Sequence, residues 1–289
     1  MEIIGSMSAM QRFSKALRLS GKTIGFVPTM GALHEGHLSI VRESVKANDI
    51  TIVSIFVNPA QFSEGEDFNR YPRDYDNDIK KLGGLLADAV FIPTVDSVYP
   101  DGYKTYVEVR GLSDKLCGQF RLGHFSGVAT VVLKLFNAVM PVRAYFGLKD
   151  YQQCVVLKKM SADLNLDIEI VLCPTVREPD GLAMSSRNAY LSAEERLDAA
   201  LIYKALKEAE LAVKDGSLKV RAIAPRLRET LSGVKSITEI QYASAYDPDT
   251  LDEITGGARV LIAAAVKMGG TRLIDNIMVD LQAAEGVVC

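Results

Sequence analysis

The segment that decides the fold reads VPTMGALHEGH and occupies residues 27–37. It follows a β-rich run at residues 23–27 and opens a helical pattern in which Leu38, Val41 and Val45 share one face. A strand, a glycine-containing turn and a helix in this order form the repeating unit of open α/β sheets. Such sheets bind ligands at the carboxyl ends of their strands, with phosphates at helix N-termini. The segment therefore predicts a ligand-binding βα turn.

The first 175 residues repeat this alternation. Further short, β-rich runs lie at residues 50–57, 89–92, 144–146 and 168–172. A second helical pattern places apolar residues on one face at Val128, Val131, Val132, Leu135 and Val139. Apolar strands that alternate with helices are typical of a parallel sheet covered by helices on both faces. We therefore predict an α/β fold, a Rossmann-like doubly wound parallel sheet, over residues 1–175.

A different pattern follows. Residues 174–188 contain two prolines and a glycine among few apolar residues, which predicts a hinge or an active-site loop. Beyond it lie helical stretches at residues 193–213 and 220–231, and alternating runs at residues 237–245, 259–267 and 271–279. This order predicts a second, smaller α+β domain with an antiparallel sheet over residues 176–289.

The composition excludes several classes of protein. The net charge of −3 is too balanced for a nucleic-acid scaffold, and no apolar run approaches the ~18 residues that a membrane span needs. The cysteines, Cys117, Cys154, Cys173 and Cys289, form no C-x-x-C pair, which disfavours a disulfide framework and structural zinc. We expect a cytoplasmic protein that acts on small molecules, with no nucleic-acid or membrane partner.

Two histidines are the candidate catalytic residues of the opening segment. His34 and His37 are three residues apart and would share one face of a helical turn. Their imidazoles can donate hydrogen bonds to phosphate oxygens, and Gly31 and Gly36 let the backbone approach a ligand closely. A histidine at a helix start is otherwise often a cap or a surface residue. Zinc is disfavoured because the metalloprotease pattern spaces its histidines i and i+4, and His124 is the remaining histidine of the chain.

A candidate substrate residue follows the second predicted strand, in the segment VNPAQF at residues 57–62. The Gln61 amide offers two donors and an acceptor, which suits the hydroxyl and carboxylate of a hydroxy acid. The alternative is a polar turn residue without a ligand.

A second candidate lies in the glycine-punctuated segment LCGQFRLGHFSGV at residues 116–128. Arg121 would serve a carboxylate or a phosphate. The alternative for Arg121 and for His124 is a surface or packing role.

The segment FGLKDYQQ at residues 146–153 again joins a predicted strand to a helix. Gly147 allows close backbone approach, and Lys149 can place a point charge on phosphates. Asp150 would hold a ribose hydroxyl or, through water, a magnesium ion. Charged residues near a helix start are also commonly solvated caps.

The segment DGLAMSSRN at residues 180–188 places two hydroxyls beside Arg187. Together these groups would form a mobile phosphate clamp. A Ser-Ser-Arg loop by itself is common, so this prediction depends on the segment at residues 27–37 preceding it in the chain.

The segments together resemble a known family. Residues 28–37 are similar to the HIGH signature of the adenylyl-transferring superfamily, which includes class I aminoacyl-tRNA synthetases and small nucleotidyltransferases. In the form PTMGALHEGH they resemble the pantoate–β-alanine ligase family, and residues 184–187 match the loop that corresponds to the synthetases' KMSKS loop. Leu122 stands where this family usually has proline, which bears on the stiffness of its loop.

The resemblance implies an ATP-dependent ligase that condenses pantoate with β-alanine to pantothenate. It implies a pantoyl-adenylate intermediate, release of AMP and pyrophosphate, a homodimer, and a second domain that acts as a lid. Mg²⁺ would be held by ATP phosphates and water, with Asp150 as the one candidate protein ligand. The predicted catalytic residues are His34, His37, Lys149, Ser185, Ser186 and Arg187. The predicted ATP-binding residues are Met30, Gly31, Ala32, Leu33, His34, Glu35, Gly36, His37, Gly147, Leu148, Lys149, Asp150, Val176, Met184, Ser185, Ser186 and Arg187. The predicted pantoate and β-alanine residues are Gln61, Arg121 and Gln153.

Three other functions stay open at this point. A cytidylyltransferase-like enzyme would also release pyrophosphate but would leave the nucleotide on its product. A class I tRNA synthetase would need an anticodon-binding region and a basic RNA-binding face, which the small, near-neutral second domain disfavours. A nucleotide sensor without catalytic activity would need neither the substrate glutamines nor the Ser-Ser-Arg loop.

Overall fold

The computed structural model describes residues 1–281, so Cys289 and the end of the predicted second domain lie outside the described residues. The chain divides into two compact units. Met1–Asp114 and Arg121–Val176 form the first, and Lys115–Phe120 pack with the chain from Arg177 onward to form the second. Within the described part of the chain, no helix is long and apolar enough to span a membrane.

The first unit is built on a six-stranded parallel sheet with the strand order β1-β4-β3-β2-β5-β6. Its strands are β1 (Glu2–Ile4), β2 (Ile24–Thr29), β3 (Ile50–Ile55), β4 (Ala89–Phe91), β5 (Arg143–Gly147) and β6 (Glu169–Cys173). The helices of the chain are α1 (Met7–Leu19), α2 (Glu35–Ala47), α3 (Tyr75–Gly83), α4 (Val95–Val98), α5 (Cys117–Phe120), α6 (His124–Val139), α7 (Tyr151–Asp163), α8 (Ala193–Lys214) and α9 (Ile223–Ser232). Short 3₁₀ turns lie at Pro59–Gln61, Asp67–Asn69, Leu148–Asp150, Ser186–Tyr190 and Val220–Ala222. The predicted Rossmann-like parallel sheet is confirmed.

Neighbouring residues of β2 show how helices cover both faces of this sheet. Successive side chains of a strand point to opposite faces. Val27 packs in a core cluster with Val41 of α2 and Leu82 of α3. Phe26, on the other face, makes an edge-to-face contact with Phe136 of α6, with ring centroids 6.3 Å apart. The alternation of apolar strand residues therefore serves two separate helix layers.

The strand order places a switch point beside β2. From β2 the sheet continues through β3 and β4 on one side, and through β5 and β6 on the other. In open α/β sheets the crevice for ligands lies where the strand order reverses, at the carboxyl ends of the strands. The turns after β2 and β5 therefore border the expected binding crevice.

The second unit contains an antiparallel sheet with the order β7-β8-β9. Its strands are β7 (Ile237–Tyr246), β8 (Arg259–Met268) and β9 (Thr271–Asp280). Alternate residues of β8, such as Ile262 and Ala264, share a core with Leu206 of α8 and Leu227 of α9. The predicted antiparallel sheet is confirmed, and the helical stretch predicted from residue 220 begins as a 3₁₀ turn before α9.

The segment Lys115–Phe120 differs from the prediction, which assigned it to the first domain. Lys115 Nζ lies 2.7 Å from Asp252 Oδ1 and donates to Thr250 O at 2.7 Å. Cys117 Sγ lies 3.2 Å from Tyr242 Oη. These long-range contacts place the segment in the second unit, and its local sequence contains no pattern that predicts them.

Candidate functional site

The turn after β2 is held in shape by a buried carboxylate. Asp78 of α3 accepts the backbone N–H of Ala32 at Oδ2 and that of Leu33 at Oδ1, both at 2.8 Å. Gly31 N–H donates to Thr29 Oγ1 at 3.2 Å. Three successive N–H groups of the turn are thus already engaged within the protein. ATP would therefore contact these three predicted binding residues through atoms other than their backbone N–H groups: Gly31, Ala32 and Leu33.

Glycine is required at the first of these positions. Gly31 has φ +83°, in the left-handed region, and a Cβ there would lie 2.9 Å from Ile55 Cγ2. A side chain would therefore both strain the backbone and push the turn away from β3. Burial raises the pKa of Asp78, and the backbone N–H groups of Leu33 and Ala32 oppose that shift.

His34 and His37 form a stacked pair at the start of α2. His34 is the N-cap residue, and its ring centroid lies 4.0 Å from that of His37 at an interplanar angle of 34°. His37 Nδ1 accepts the His34 backbone N–H at 3.4 Å, so in the neutral ring the proton is on Nε2. His34 Nδ1 is buried and has no hydrogen-bond partner among the described residues. The pair thus offers polar groups that a ligand can satisfy.

Both imidazoles are neutral at pH 7. Burial, followed by the charge of Lys149, lowers the pKa of His34 to about 4, and Asp150 opposes this shift. Burial, then His34, Lys149 and Lys81, lowers the pKa of His37 to about 3. Lys149 influences both rings, and it follows β5, the strand that neighbours β2 in the sheet, so the turns after these two strands place its charge near the histidines. Neutral imidazoles flanked by lysines are suited to bind an anion by hydrogen bonds.

The turn after β5 carries Lys149 and leads into α7. Lys149 Nζ lies 3.9 Å from Asp150 Oδ1, and the lysine side chain is the less exposed of the two. Gln152, in the first turn of α7, donates from Nε2 to Leu112 O at 2.9 Å and fixes the start of that helix. Gln153 is the next residue and is partly buried. The predicted site residues of this segment therefore lie at or just after the carboxyl end of β5: Gly147, Leu148, Lys149, Asp150 and Gln153.

Gln61 meets the opening segment directly. Its Nε2 lies 3.1 Å from Met30 Sδ, which brings the predicted acid-binding and ATP-binding segments into contact. The 3₁₀ turn that carries Gln61 packs against α6 at Gly127, where a Cβ would lie 2.1 Å from Ala60 O. Only glycine permits this approach. Asn58 caps the turn by accepting the Ala60 N–H at 3.2 Å.

Arg121 contacts the backbone of Gln61 and forms a partly buried ion pair with Glu66. Its Nε and Nη2 each lie 2.7 Å from a carboxylate oxygen of Glu66. Nη1 lies 2.9 Å from His124 Nε2, and Nη2 donates to Gln61 O at 3.3 Å. The guanidinium thus has a carboxylate partner of its own, and a substrate carboxylate would have to replace Glu66. The substrate-binding role of Arg121 stays a prediction. Leu122 beside it is 84% exposed.

The Ser-Ser-Arg segment lies in the second unit. Ser185 is the N-cap of the 3₁₀ turn Ser186–Tyr190, and its Oγ accepts the Arg187 N–H at 3.3 Å. Asn188 Nδ2 donates to Ala183 O at 3.1 Å and closes the turn. Met184 precedes the cap and is partly buried. Because the Ser185 hydroxyl oxygen accepts this backbone N–H, its own O–H can donate a hydrogen bond to a ligand.

A buried ion pair anchors the base of this segment. Arg177 donates from Nη1 and Nη2 to the two oxygens of Asp275 on β9, at 2.6 and 2.9 Å. Its guanidinium also stacks 3.6 Å from the ring centroid of Tyr203 on α8 and donates to Gly181 O at 3.1 Å. Arg177 thereby ties the chain before Ser185 to two elements of the second unit. Val176, predicted to contact the nucleotide, precedes it in the first unit, just beyond β6.

The sequence reasoning missed three residues that shape the site. Asp78 and Lys81 belong to α3; Lys81 donates from Nζ to Leu33 O at 2.6 Å. Charged residues in a helix normally indicate a solvated face, so no local signal marks them. Asn58 carried a signal, because asparagine before proline often initiates a turn.

The described residues contain no group of three histidine, cysteine or acidic side chains placed to hold a metal ion. Cys117, Cys154 and Cys173 are buried and present as free thiols. Burial raises the pKa of Cys154, and burial followed by Glu43 raises the pKa of Cys173 to about 11. Neither thiol is a ready nucleophile at neutral pH.

Comparisons with known proteins place this geometry in a family. A model of the family described as pantoate–β-alanine ligase matches residues 2–278. The chain is 57% identical to the pantothenate synthetase of Thermodesulfovibrio yellowstonii, over 97% of this chain and 100% of that one.

Solved structures agree with the sequence matches. The pantothenate synthetase of Thermus thermophilus is similar with a TM-score of 0.91 at 41% identity, covering 96% of this chain and 99% of that one. The pantoate–β-alanine ligase of Francisella tularensis, solved in complex with βγ ATP and β-alanine, is similar with a TM-score of 0.81 at 34% identity, covering 96% and 97%. The site combines stacked imidazoles at the switch point with a lysine at the end of the neighbouring strand, and the matches extend along nearly the full chain. The chain therefore belongs to the pantoate–β-alanine ligase family.

Proposed function

We propose that this chain condenses pantoate with β-alanine in two steps, through a pantoyl-adenylate made from ATP. The observation that carries the proposal is the convergence of two neutral imidazoles, Lys149 and Gln61 around the switch point of the sheet. The two imidazoles follow β2, Gln61 follows β3 and Lys149 follows β5. The imidazoles and the lysine suit the phosphates of ATP, and the glutamine suits the acid. The family is a ligase family, and its Francisella tularensis member was solved with an ATP compound and β-alanine.

The phosphates of ATP lie at the N-terminus of α2. Backbone dipoles favour an anion there, and Lys149 adds a point charge. His34 Nδ1 is buried and lacks a partner among the described residues, so a bound phosphate would relieve an unsatisfied group. Mg²⁺ travels with the phosphates and offsets their charge when bound; Asp150, whose carboxylate is half exposed, would approach it through water.

The first step joins the acid to the nucleotide. Gln61 and Gln153 hold pantoate with its carboxylate in line with the α-phosphorus. A carboxylate oxygen forms a bond to that phosphorus, the bond to the β-phosphate oxygen breaks, and pyrophosphate leaves. His37 donates a hydrogen bond from Nε2 to oxygen that gains charge in this step. As a neutral ring it acts as a donor, not as a cationic acid.

The second step transfers the pantoyl group. The β-alanine amine attacks the acyl carbon, the C–N bond forms, the C–O bond to AMP breaks, and the amine loses a proton. No protein nucleophile takes part, so rate enhancement comes from positioning and preorganised charge. Arg121 would receive the substrate carboxylate after exchange with Glu66.

The second domain supplies the remaining phosphate contacts and acts as a lid. Ser185, Ser186 and Arg187 contact the phosphates of ATP, and the domain shields the acyl-adenylate from water. The active form is a homodimer in the cytoplasm. Limited proteolysis with and without ATP tests the lid: protection around residues 184–187 supports it, and unchanged cleavage there contradicts it.

The experiment for the function is a pyrophosphate-release assay on the purified chain. With ATP and pantoate alone we expect a burst of pyrophosphate that stops near one equivalent per site. Adding β-alanine should start steady turnover with AMP as the nucleotide product. A product that retains the nucleotide would favour the cytidylyltransferase-like function, and no pantoate-dependent pyrophosphate would contradict the proposal.

A further inference from the structure

The side-chain amide of Gln61 is the end of a hydrogen-bond chain that begins at a phenol. Tyr99 Oη lies 2.8 Å from Asn58 Oδ1, and Asn58 Nδ2 lies 3.1 Å from Gln61 Oε1. Asn58 is 1% exposed and Gln61 is 9% exposed. Buried amides keep their hydrogen-bond partners. The chain therefore controls which atoms Gln61 can offer to a ligand.

Two backbone groups fix the orientation of the Asn58 amide. The Ala60 N–H can only donate, so the Asn58 atom 3.2 Å from it is the oxygen. The Gly127 carbonyl can only accept, so the atom 3.1 Å from it is the nitrogen. Since Asn58 Oδ1 is an acceptor, Tyr99 must donate its O–H to it. The Tyr99 contact is the shortest of the three.

The orientation of Asn58 then sets that of Gln61. The second N–H of Asn58 Nδ2 needs an acceptor, which is Gln61 Oε1. Gln61 Nε2 consequently turns toward Met30, whose sulfur 3.1 Å away is a weak acceptor that a better one can replace. Gln61 therefore presents N–H donors, and no acceptor, on the side of the ATP-binding segment.

We infer that Tyr99 and Asn58 are positioning residues that make Gln61 a donor toward the acid substrate. This inference rests on the proposed function, in which Gln61 holds pantoate. A donor at this point complements a carboxylate, carbonyl or hydroxyl oxygen. The opposite orientation would set Gln61 Oε1 against those oxygens and leave Asn58 Nδ2–H unpaired. Such mismatched polar groups are what make sites selective.

The test removes one oxygen atom. Tyr99→Phe deletes the donor to Asn58, and Tyr103→Phe deletes the same atom from the adjoining ring, whose centroid lies 5.2 Å from that of Tyr99. We expect Tyr99→Phe to raise KM for pantoate about threefold to tenfold, the usual effect of one neutral hydrogen bond, with KM for ATP unchanged. Tyr103→Phe should leave both KM values unchanged.

A second variant reverses the polarity. In Asn58→Asp the side chain still accepts from Ala60 and Tyr99 but can donate neither to Gly127 O nor to Gln61, whose amide should turn round. We expect a loss of about 10- to 100-fold in kcat/KM for pantoate, with a smaller change in KM for ATP. Circular dichroism shows whether the variant is folded, and Tyr99→Phe carries the test if it is not.

Several results would overturn the inference while leaving the proposed function intact. In each of them the wild-type chain ligates pantoate. The Tyr99→Phe variant then shows an unchanged KM for pantoate, equal increases in the KM values for pantoate and ATP, or the same effect as Tyr103→Phe. A wild-type chain that releases no pyrophosphate with pantoate would overturn the proposed function and this inference together.

Discussion

His37 Nδ1 accepts the backbone N–H of His34, and the two rings stack with centroids 4.0 Å apart. One hydrogen bond thus fixes the tautomer of His37, with the proton on Nε2. The His37 ring therefore both caps the start of α2 and presents a donor, so variants of this residue are tested for folding as well as for chemistry. The first two predictions follow from this pair.

His37→Ala should lower kcat for pantoate-dependent pyrophosphate release by about 10²- to 10³-fold, the usual effect of losing one preorganised donor. His37→Gln retains an N–H donor and should recover part of that loss. Stopped-flow measurement of pyrophosphate release gives both values, with circular dichroism as the control for folding. Near-normal turnover of a folded His37→Ala variant would rule out this role.

The low pKa values of the two partly buried imidazoles lead us to expect a loss of stability in acid. The pKa of His37 is about 3 in the folded chain and 6.5 in the unfolded one, so between these values the unfolded chain binds more protons. The free energy of unfolding should therefore fall as pH drops below 6.5. Between pH 8 and pH 5, His37 should lower the free energy of unfolding by on the order of 2 kcal/mol.

Urea unfolding at pH 8 and pH 5 measures this effect. His37→Gln, which has no group that titrates there, should lose less stability over the interval than the wild-type chain. Equal losses in the two proteins would show that the imidazole is not buried in its neutral form.

Asp78→Asn should weaken both the turn after β2 and catalysis. Asparagine offers one oxygen, so either the Ala32 or the Leu33 N–H loses its acceptor and faces an NH₂ group. We expect a loss of about 1–3 kcal/mol in the free energy of unfolding, together with a lower kcat, because His34 follows this turn. Asp76→Asn, at an exposed position of the same helix, is the matched control and should change neither. Wild-type stability in Asp78→Asn would contradict the proposed anchor.

Arg177 and Arg196 allow a comparison of two ion pairs beside the Ser-Ser-Arg segment. Arg177→Met leaves Asp275, 5% exposed, without its partner and should cost about 3–5 kcal/mol. Arg196→Gln breaks the more exposed pair with Asp180 and should cost less than ~1 kcal/mol. Chemical unfolding measures both costs. Similar values for the two variants would show that the Asp275 pair does not anchor the second unit.

Most of the fold was predictable because local patterns determine it. The alternation of strands and helices up to residue 175 reflects strands buried on both faces, and it led to the correct sheet type. The three strands of the second unit begin where the alternating runs begin. By contrast, the sequence predicted a helix after residues 146–153 but gave it no apolar face, because Gln152 and Ser161 are among the buried residues of α7 and interrupt its apolar pattern.

The candidate site was predictable where its residues are consecutive. Met30 to His37, Gln61 and Lys149 follow strand ends, and position in the unit singles them out. Asp78 lies 46 residues from the Ala32 N–H that it accepts, so only the folded chain reveals the pair. The same reason hides the Glu66 partner of Arg121, which lies 55 residues away. The individual site assignments stay predictions until variants are measured.

The central claim is that the acid's carboxylate attacks the innermost phosphorus of ATP. Pantoate labelled with oxygen-18 in its carboxylate tests it directly, with mass spectrometry of the nucleotide after turnover. Attack at the α-phosphorus carries one labelled oxygen into AMP, and that is the result we predict. Unlabelled AMP, or label in inorganic phosphate with ADP as the nucleotide, would contradict the account.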